Sequence, residues 1–454
     1  MYIEQIYTDC LAQASYYIES SGEAIIIDPI RDGEFYLELL KKRKSSLKYI
    51  FETHFHADFV SGHLELANLT NADIVFGPNA TTSYKCIVAQ DNQDFHCGNL
   101  KLRALHTPGH TMESTSYLLF SAENKAEAIF TGDTLFIGEV GRPDLAVNPQ
   151  LTSEDLASHL YDSLHNIIMH LEDDVIVYPG HGAGSACGKN ISAQKHSTIG
   201  EQKQYNYALQ PMSKQDFVKM VLAGISKAPQ YFGHDVAMNK EGYRSVKKVL
   251  QNSLNELTYE NYRSYITSES VILDVRPPNA FEKGFIKDSI NIGKMGMFAP
   301  WVGTIIPPSS KIILVCNVNE ELEVISRLAR IGYENVVGYI SDLTPWKKNR
   351  ELDYIQSIES TKIDDHKNNL SILDVRREDE LRLGFIKDSI NIPLSQLADN
   401  LDKIPKTSDN LIIYCAGGYR SMIASSILQS KGFKGIKNIY GGFNAIARNS
   451  PNLL

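Results

Sequence analysis

The chain has 454 residues, of which 43% are hydrophobic and 22% are charged, a composition typical of a globular protein with several domains. Its formal net charge of −9 offers no electrostatic footprint for nucleic acids or anionic membranes, so we expect neither as a partner. The opening residues lack the basic and apolar regions of a signal peptide, and no apolar run approaches a membrane span. Six scattered cysteines without a Cys-x-x-Cys pair favour free thiols in a reducing cytoplasm.

The first motif of chemical interest follows a buried strand. Earlier elements are predicted as strands at 15–18 and 24–29 and a helix at 34–44. The apolar run Tyr49-Ile50-Phe51 then leads into Thr53-His54-Phe55-His56-Ala57-Asp58-Phe59. In an extended segment His54, His56 and Asp58 share one face, because side chains alternate. Two imidazoles and a carboxylate are costly to bury unless they bind something, usually a metal ion.

Three later strands also end at a glycine turn that carries a histidine or an aspartate. These turns are His106-Thr107-Pro108-Gly109-His110, Thr131-Gly132-Asp133 and Pro179-Gly180-His181-Gly182. Four such strand ends in one half of a chain favour a metal site over an isolated polar pair. Together these motifs resemble the metallo-β-lactamase superfamily over the first 200 residues or so. The resemblance implies an αββα sandwich with its metal site at one edge of the two sheets.

One departure from the superfamily pattern bears on the number of metal ions. Two-metal hydrolases of this superfamily carry His-x-His-x-Asp-His, whereas the last position here is Phe59, whose ring cannot bind a metal. The resemblance therefore implies a single ion.

Two metals and two reactions fit a single-ion site. In the persulfide dioxygenases, one subgroup of the superfamily, the matching ligands are His54, His110 and Asp133. A two-histidine, one-carboxylate set is typical of Fe(II) sites that activate O₂. His56, Asp58 and His181 would then orient ligands or solvent. The rival is Zn²⁺ bound by His54, His56 and His110, which would activate water for hydrolysis, and the spacing of the motifs suits both.

Two further side chains near these motifs are candidates for substrate chemistry. Arg142, in a Gly-Arg-Pro-Asp segment that matches the subgroup, would bind a carboxylate of a thiol substrate. The alternative is that Arg142 pairs with Asp144 to brace the loop. Cys187 follows His181 in a glycine-rich loop and is a secondary candidate for a sulfur carrier, the alternative being a small residue packed in a tight turn.

The C-terminal part of the chain contains an internal repeat. Residues 271–276 match 371–376 at an offset of 100, and residues 284–292 recur unchanged at 384–392. Alternating strands and helices predict a parallel α/β sheet in each repeat, and the repeats resemble the rhodanese family. The predicted division of the chain is a metallo domain at 1–230, a linker at 231–257, a first repeat at 258–356 and a second repeat at 357–454.

The two repeats differ at the loop that follows their cysteine. Cys415 of the second repeat ends a strand and is followed by two glycines and Arg420 before a helix. Inward-facing N–H groups, the helix dipole and Arg420 favour a thiolate, and the resemblance implies a catalytic cysteine that carries sulfur as a persulfide. Cys316 of the first repeat is instead followed by Glu320 and Glu321, whose carboxylates repel a thiolate. We predict an inactive first repeat that serves as a scaffold.

The whole chain resembles bacterial fusions of a persulfide dioxygenase with rhodaneses. The resemblance implies Fe(II)- and O₂-dependent oxidation of a low-molecular-weight thiol persulfide to sulfite, with sulfur transfer to sulfite giving thiosulfate in sulfide detoxification. The alternatives are a Zn-dependent thioester hydrolase like glyoxalase II and a non-catalytic sulfur-relay protein. We expect a homo-oligomer, and the sequence leaves the thiol carrier open among glutathione, coenzyme A, bacillithiol and cysteine.

Overall fold

The chain forms two units in the computed structural model, which describes residues 1–454 apart from 32, 226, 367–369 and 406–409. The units are Met1–Lys248 with Ser326–Gly332, and Val249–Ile325 with Tyr333–Leu454. Within the described residues, no helix has the length and apolar character needed to cross a bilayer. The four-part division made from the sequence stays a prediction.

The first sheet of the first unit has six strands that lie side by side in chain order. They are β1 (Tyr2–Thr8), β2 (Gln13–Ser20), β3 (Glu23–Ile27), β4 (Ser46–Phe51), β5 (Asp73–Phe76) and β6 (Ile87–Val88). β1, β2 and β3 pair antiparallel, and β3 to β6 pair parallel. The isoleucines of β3 are buried on both faces, as expected of a strand in a covered parallel segment.

The second sheet also has six strands, in the order β12-β11-β10-β9-β8-β7. They are β7 (Asp94–Cys97), β8 (Leu100–His106), β9 (Thr115–Phe120), β10 (Ala126–Gly132), β11 (Ile176–Pro179) and β12 (Ser197–Thr198). The two sheets share one core, in which Phe51 of β4 packs against Phe95 and Tyr117 with ring centroids 5.2 and 4.7 Å apart.

Helices cover the outer faces of both sheets. The helices of this part of the chain are α1 (Glu34–Arg43), α2 (His63–Thr70), α3 (Ser153–Asn166), α4 (Ile199–Tyr205), α5 (Lys214–Leu222), α6 (Phe232–Glu241) and α7 (Val246–Ser253). Leu160 of α3 packs on Ile129 and Val177 of the second sheet, and Tyr36 of α1 hydrogen-bonds to Ser15 of the first. The predicted αββα sandwich is confirmed.

The second unit contains one parallel sheet for each repeat. The first repeat has the order β15-β13-β16-β17 and the second has β19-β23-β22-β20-β21, while β14 and β18 form an antiparallel pair. The strands are β13 (Ser270–Asp274), β14 (Phe285–Ile286), β15 (Ile290–Asn291), β16 (Lys311–Val315), β17 (Val336–Ile340), β18 (Leu352–Asp353), β19 (Gln356–Ile358), β20 (Leu370–Asp374), β21 (Ile390–Asn391), β22 (Asn410–Tyr414) and β23 (Ile436–Ile439). The predicted parallel α/β repeats are confirmed.

Helices alternate with these strands along the C-terminal part of the chain. They are α8 (Pro278–Phe281), α9 (Phe298–Ile305), α10 (Glu321–Ala329), α11 (Thr344–Lys348), α12 (Tyr419–Ser430) and α13 (Gly442–Asn449). Helix α12 is buried along most of its length and follows directly on the cysteine loop after β22. The sequence repeat therefore corresponds to a repeat of sheet and helix, with a cysteine at the end of an inner strand in each copy.

Candidate metal centre and cysteine site

His54, His110 and Asp133 come together where three strands end. His54 follows β4, His110 follows β8, and Asp133 follows β10. The Nε2 atoms of His54 and His110 lie 3.9 and 3.5 Å from Oδ2 of Asp133. All three side chains are buried, and they offer one ligand atom each within 4.8 Å of one another. This is the set that the sequence predicted for the metal.

Hydrogen bonds to the backbone determine which imidazole nitrogen faces the centre. Nδ1 of His110 lies 2.9 Å from the carbonyl oxygen of Arg142, and Nδ1 of His181 lies 3.2 Å from that of Ala12. A carbonyl oxygen only accepts, so each Nδ1 carries the proton. Nε2 is therefore the nitrogen of both rings that faces Asp133.

His54 has the same orientation through a hydroxyl relay. The hydroxyl of Thr53 donates to Oδ2 of Asp28 at 2.8 Å, and its oxygen lies 2.9 Å from Nδ1 of His54. Since the hydroxyl proton is used on Asp28, Nδ1 of His54 is the donor. Burial, with the charges of His56 and His110, lowers the pKa of His54 well below its ordinary value. His54 is therefore neutral, as a metal ligand must be.

A second group of candidate ligands adjoins the first. Oδ1 of Asp133 lies 3.6 Å from Nε2 of His181, which lies 3.5 Å from Oδ2 of Asp58. His56, Asp58 and His181 also offer ligand atoms within 4.8 Å of one another. Their expected role in orienting ligands stays a prediction, because they are also close enough to one another to bind an ion.

His56 differs from the other histidines in what holds it. Its Nε2 lies 3.1 Å from Oδ1 of Asp28 and 3.3 Å from Oε2 of Glu52, two buried carboxylates. Although burial alone lowers the pKa of His56, the Asp28 and Glu52 carboxylates raise it well above the ordinary value. The buried ring of Phe59 lies on the imidazole, with centroids 4.2 Å apart. An apolar ring thus occupies the place of the last histidine of the His-x-His-x-Asp-His motif.

Several polar atoms of this centre have no protein partner. Among the described residues, both carboxylate oxygens of Asp133, Oδ1 of Asp58 and Nε2 of His181 are buried without a hydrogen bond. Burying such groups unsatisfied is costly, and a bound cation removes the cost. The first domain therefore contains a metal-binding site, and its nitrogen and oxygen donors suit both iron and zinc.

Sequence analysis missed Asn239, which lies in the segment predicted as a linker and now forms part of α6. Its Nδ2 donates to the carbonyl oxygens of His56 and Phe59, both at 2.9 Å, and its Oδ1 accepts from the N–H of Ser61 at 2.9 Å. These bonds fix the loop that carries the metal residues. A single Asn in a polar helix carries no sequence signal for this role.

Sequence analysis also missed the two carboxylates that hold His56. Asp28 and Glu52 each follow a strand of the first sheet, β3 and β4. An acidic residue at the end of an apolar strand is the same signal that identified Asp133. The same signal could therefore have identified Asp28 and Glu52 from the sequence.

Arg142 uses its guanidinium within its own loop. Nε and Nη2 lie 2.7 and 2.8 Å from the two carboxylate oxygens of Asp144, and Nη1 donates to the carbonyl oxygen of Ala186. This is the bracing arrangement considered as the alternative. Substrate binding by Arg142 stays a prediction, whereas its backbone clearly contributes by holding His110.

Cys187 lies beside the metal residues. Its sulfur is within 4.8 Å of ligand atoms of Asp133 and His181, and the side chain is buried. Burial, with the charges of Asp58 and Asp133, raises the pKa of Cys187 well above its ordinary value. In the absence of a cation Cys187 is a thiol, and its role as a sulfur carrier stays a prediction.

The loop of the second repeat directs a backbone N–H at the sulfur of Cys415. The N–H of Gly418 donates to the Cys415 sulfur at 3.1 Å, and Ser421 Oγ lies 3.5 Å from it. Gly418 has φ of 101° and immediately precedes α12. Arg420 binds both carboxylate oxygens of Glu380, at 2.6 and 2.7 Å. One backbone N–H thus meets the sulfur, Arg420 is held by an acidic partner, and the catalytic roles of Cys415 and Arg420 stay predictions.

Cys316 has different surroundings. Burial, with the carboxylates of Glu321 and Glu320, raises the pKa of Cys316 to about 12. This direction opposes thiolate formation, in agreement with the reasoning that led us to predict an inactive first repeat.

Comparison with known families identifies the two kinds of domain. Residues 8–181 match the model of the metallo-beta-lactamase superfamily. Residues 258–349 and 359–449 each match the rhodanese-like domain. The chain thus combines one metallo-beta-lactamase domain with two rhodanese-like domains.

Individual relatives agree with these matches. A crystal structure of a metallo-beta-lactamase from Staphylococcus aureus is 31% identical, with a TM-score of 0.68, over 75% of this chain and 99% of that one. A probable polyketide biosynthesis zinc-dependent hydrolase of Bacillus subtilis is 30% identical over 45% of this chain and 84% of its own length. A probable hydroxyacylglutathione hydrolase of Schizosaccharomyces pombe is 28% identical over 41% of this chain and 78% of its own length.

Proposed function

The chain belongs to the metallo-beta-lactamase superfamily, and from this membership and its two rhodanese-like domains we propose a two-step sulfur chemistry. The first domain oxidises a low-molecular-weight thiol persulfide with O₂. One O₂ and one water convert the outer sulfur to sulfite and release the thiol and two protons. The second repeat transfers sulfane sulfur to sulfite and forms thiosulfate.

The observation that carries the oxidation is the combination of ligand set and apolar wall. His54, His110 and Asp133 form a two-histidine, one-carboxylate set, and an Fe(II) ion held by them would supply the activation of O₂. Phe59 fills the position at which two-metal hydrolases have a histidine. Nε2 of His56 lies 3.1 and 3.3 Å from the Asp28 and Glu52 carboxylates, which distinguishes this histidine from His54 and His110.

The sulfur-transfer step is supported by the Cys415 loop. The Cys415 thiolate attacks the outer sulfur of a persulfide, the sulfur–sulfur bond of the donor breaks, and the carrier leaves as a thiolate. Sulfite then takes the outer sulfur from Cys415, which regenerates the thiolate and yields thiosulfate. The N–H of Gly418 and the start of α12 stabilise the negative sulfur throughout.

A second candidate is a Zn-dependent thioester hydrolase like glyoxalase II. It is favoured by the name of a relative, a probable hydroxyacylglutathione hydrolase. The group of His56, Asp58 and His181, close enough to share Asp133, also supports it. In this case the rhodanese-like domains would serve a separate reaction.

Metal analysis and two assays on the 454-residue chain distinguish the candidates. We expect iron-loaded protein to consume O₂ with glutathione persulfide and to release sulfite, and Asp133→Asn to abolish this. Asp174→Asn, at an exposed carboxylate, is the matched control. Hydrolysis of a hydroxyacyl glutathione thioester by zinc-loaded protein, with no O₂ uptake by iron-loaded protein, would support the second candidate instead.

A further inference from the structure

We propose that Tyr419 is a positioning residue of the Cys415 site, through which the first repeat holds the cysteine loop of the second. Tyr419 is the first residue of α12 and directly follows Gly418, whose N–H donates to the Cys415 sulfur. The inference rests on the proposed sulfur transfer and deepens it, because it gives the first repeat a part in the same cysteine site.

The side chains of α12 that contact the first repeat lie on one face of the helix. They are Tyr419, Met422, Ser426 and Gln429. Their spacing of three or four residues aligns them along the helix. Met422 is buried in one cluster with Phe281 and Phe285. The N–H of Asn291 donates to the Ser426 hydroxyl at 3.0 Å, and at the far end of the helix Nε2 of Gln429 lies 3.5 Å from a carboxylate oxygen of Asp353.

Another face of α12 packs on the sheet of the second repeat. Ser421 donates from its hydroxyl to Oδ1 of Asn438, in β23, at 2.6 Å. Contacts with both repeats explain why α12 is buried along most of its length. The position of the start of α12, beside Cys415, therefore depends on both repeats.

Tyr419 makes its contact with the first repeat next to the cysteine loop. Its hydroxyl donates to the carbonyl oxygen of Gly293 at 2.8 Å. A Cβ on Gly296 would lie 3.3 Å from two carbons of the Tyr419 ring, which is tighter than an ordinary contact. The glycine segment 293–296 thus receives the tyrosine with a hydrogen bond at the tip of the ring and close contact along it. These contacts together form the tyrosine anchor.

The first repeat forms the same turn without a tyrosine. Four residues after the cysteine the second repeat has Tyr419, whereas the first has Glu320. Glu320 pairs with Lys294 at 3.1 Å, inside its own repeat. Strand, cysteine and helix follow one another in both copies. The fold of a repeat therefore does not require the tyrosine, and the anchor belongs to the copy whose loop directs an N–H at its sulfur.

The tyrosine anchor lies one residue from the group that it positions. A hydrogen bond weakens steeply when its donor turns away from the acceptor, so the N–H of Gly418 stabilises a thiolate only in one orientation. Loss of the anchor should loosen the start of α12 and weaken this hydrogen bond, although the donor itself remains.

The test measures the thiolate of Cys415 without any sulfur substrate. The 454-residue chain is treated with iodoacetamide over a range of pH, and mass spectrometry gives the alkylation rate of Cys415. The midpoint of this pH profile reports how well the thiolate is stabilised, whereas its plateau reports access of the reagent. We expect Tyr419→Phe, which removes only the hydroxyl, to move the midpoint up by about 0.3–1 pH unit, the effect of one hydrogen bond of ordinary strength. Tyr419→Leu, which also removes the ring, should move it at least as far.

Two controls separate positioning from general stability. Tyr259→Phe removes a tyrosine hydrogen bond of the same 2.8 Å length, to Glu351 inside the first repeat, and should leave the midpoint unchanged. Gln429→Met removes a contact with the first repeat at the other end of α12, and should also leave it unchanged. Every variant keeps the charged groups of the loop, of its ion pair and of the segment around Gly293, which are Arg420, Glu380, Asp374, Lys294 and Glu320.

A substitution in the first repeat gives an independent test. Gly296→Ala places a methyl group against the Tyr419 ring and should move the midpoint in the same direction. Combined with Tyr419→Leu it should add little, because the ring is then absent. Additive shifts of Gly296→Ala and Tyr419→Leu would contradict the anchor.

The outcomes separate the tyrosine anchor from the proposed sulfur transfer. An unchanged midpoint in both Tyr419 variants, or an equal shift in Gln429→Met, would overturn the anchor. If the Tyr419 variants shift the profile but the natural sequence forms no thiosulfate from a persulfide and sulfite, the sulfur transfer fails and the anchor stands. If Tyr419→Phe forms thiosulfate at the natural rate and its profile is unmoved, the anchor fails and the sulfur transfer stands.

Discussion

The histidines of the metal centre differ in which ring nitrogen is bound by another protein group, and in whether that group is neutral or charged. His54, His110 and His181 donate from Nδ1 to neutral oxygens, which leaves Nε2 free for a cation. His56 instead directs Nε2 to two carboxylates, which favour its cationic form. The environment of His56 therefore distinguishes it from the three histidines whose Nε2 lies near Asp133.

Substitution of Phe59 tests whether the centre binds one metal ion or two. Phe59→His restores a nitrogen ligand beside Asp58 and His181, so we expect zinc-loaded protein to gain a second equivalent of bound metal. Phe59→Leu keeps the position apolar and should leave the stoichiometry at one. Metal content per folded chain, measured by elemental analysis after desalting, gives the result. Two equivalents already present in the natural sequence would contradict the single-ion interpretation.

The pKa of Cys316 predicts a strong pH dependence of its reactivity. Its pKa of about 12 keeps the thiol protonated at neutral pH, so alkylation should rise roughly tenfold for each pH unit below that value. Mass spectrometry of iodoacetamide-treated Cys415→Ser protein measures the rate. Glu321→Gln removes a repelling charge and should raise the rate at a given pH, whereas Glu269→Gln, at an exposed position, should not. Labelling of Cys316 at pH 7 as fast as partly exposed Cys10 would contradict the prediction.

At the scale of single residues, the sequence predicted what the strand pattern dictates. His54 follows a strand of the first sheet, and His110 and Asp133 follow strands of the second, so this ligand set was predicted from the resemblance to the persulfide dioxygenases. The group that a long side chain binds depends on interatomic distances in the folded chain, and the spacing of residues in the sequence does not give these distances. For this reason the bidentate pairing of Arg142 with Asp144 remained one of two alternatives until the loop was seen.

At the scale of elements, the turn between β22 and α12 depends on one glycine of its pair. Gly418 has φ of 101°, whereas Gly417 has neither a left-handed φ nor a neighbour within 4 Å of an added Cβ. Gly418→Ala should therefore cost about 1–2 kcal/mol or reorient the N–H that meets Cys415. We expect a lower melting temperature and slower sulfur transfer for Gly418→Ala, and near-normal values for Gly417→Ala. Equal effects of Gly418→Ala and Gly417→Ala on melting temperature and sulfur transfer would show that the left-handed backbone conformation of Gly418 is not the cause.

Helix α6 lies in the segment that the sequence assigned to a linker, and its effect on the metal loop can be measured. Asn239→Leu leaves the carbonyl oxygens of His56 and Phe59 and the N–H of Ser61 without their partner, at roughly 1–3 kcal/mol for each buried group. We expect a lower melting temperature and weaker metal retention in competition with a chelator. Asn68→Leu, on the exposed face of α2, is the matched control. Unchanged metal retention in Asn239→Leu would limit the residue to a structural role.

At the scale of the whole molecule, the internal repeat was the easiest feature to predict and the support of the metal loop the hardest. A repeated strand such as β13 and β20 is recognised by comparing the chain with itself, so its fold follows from the pattern. A helix that packs beneath a distant loop is specified only by tertiary contacts, which override local composition. The segment 231–257 is polar, and its helices were therefore taken for a linker.

The metal residues and Cys415 belong to separate units, each with its own hydrophobic core, so the two activities should be lost independently. Removing the metal with a chelator should abolish O₂ uptake and sulfite formation, and should leave transfer of sulfur from a persulfide to added sulfite intact. Cys415→Ser should do the reverse: sulfite accumulates where the natural sequence yields thiosulfate, because the sulfur acceptor is gone.

Cys316→Ser is the control and should keep both activities, since the Cys316 thiol of the natural sequence is protonated. Ion chromatography of sulfite and thiosulfate, together with oxygen uptake, measures the two steps in one sample. Loss of thiosulfate formation in Cys316→Ser, with Cys415→Ser unaffected, would reverse the assignment of the active repeat.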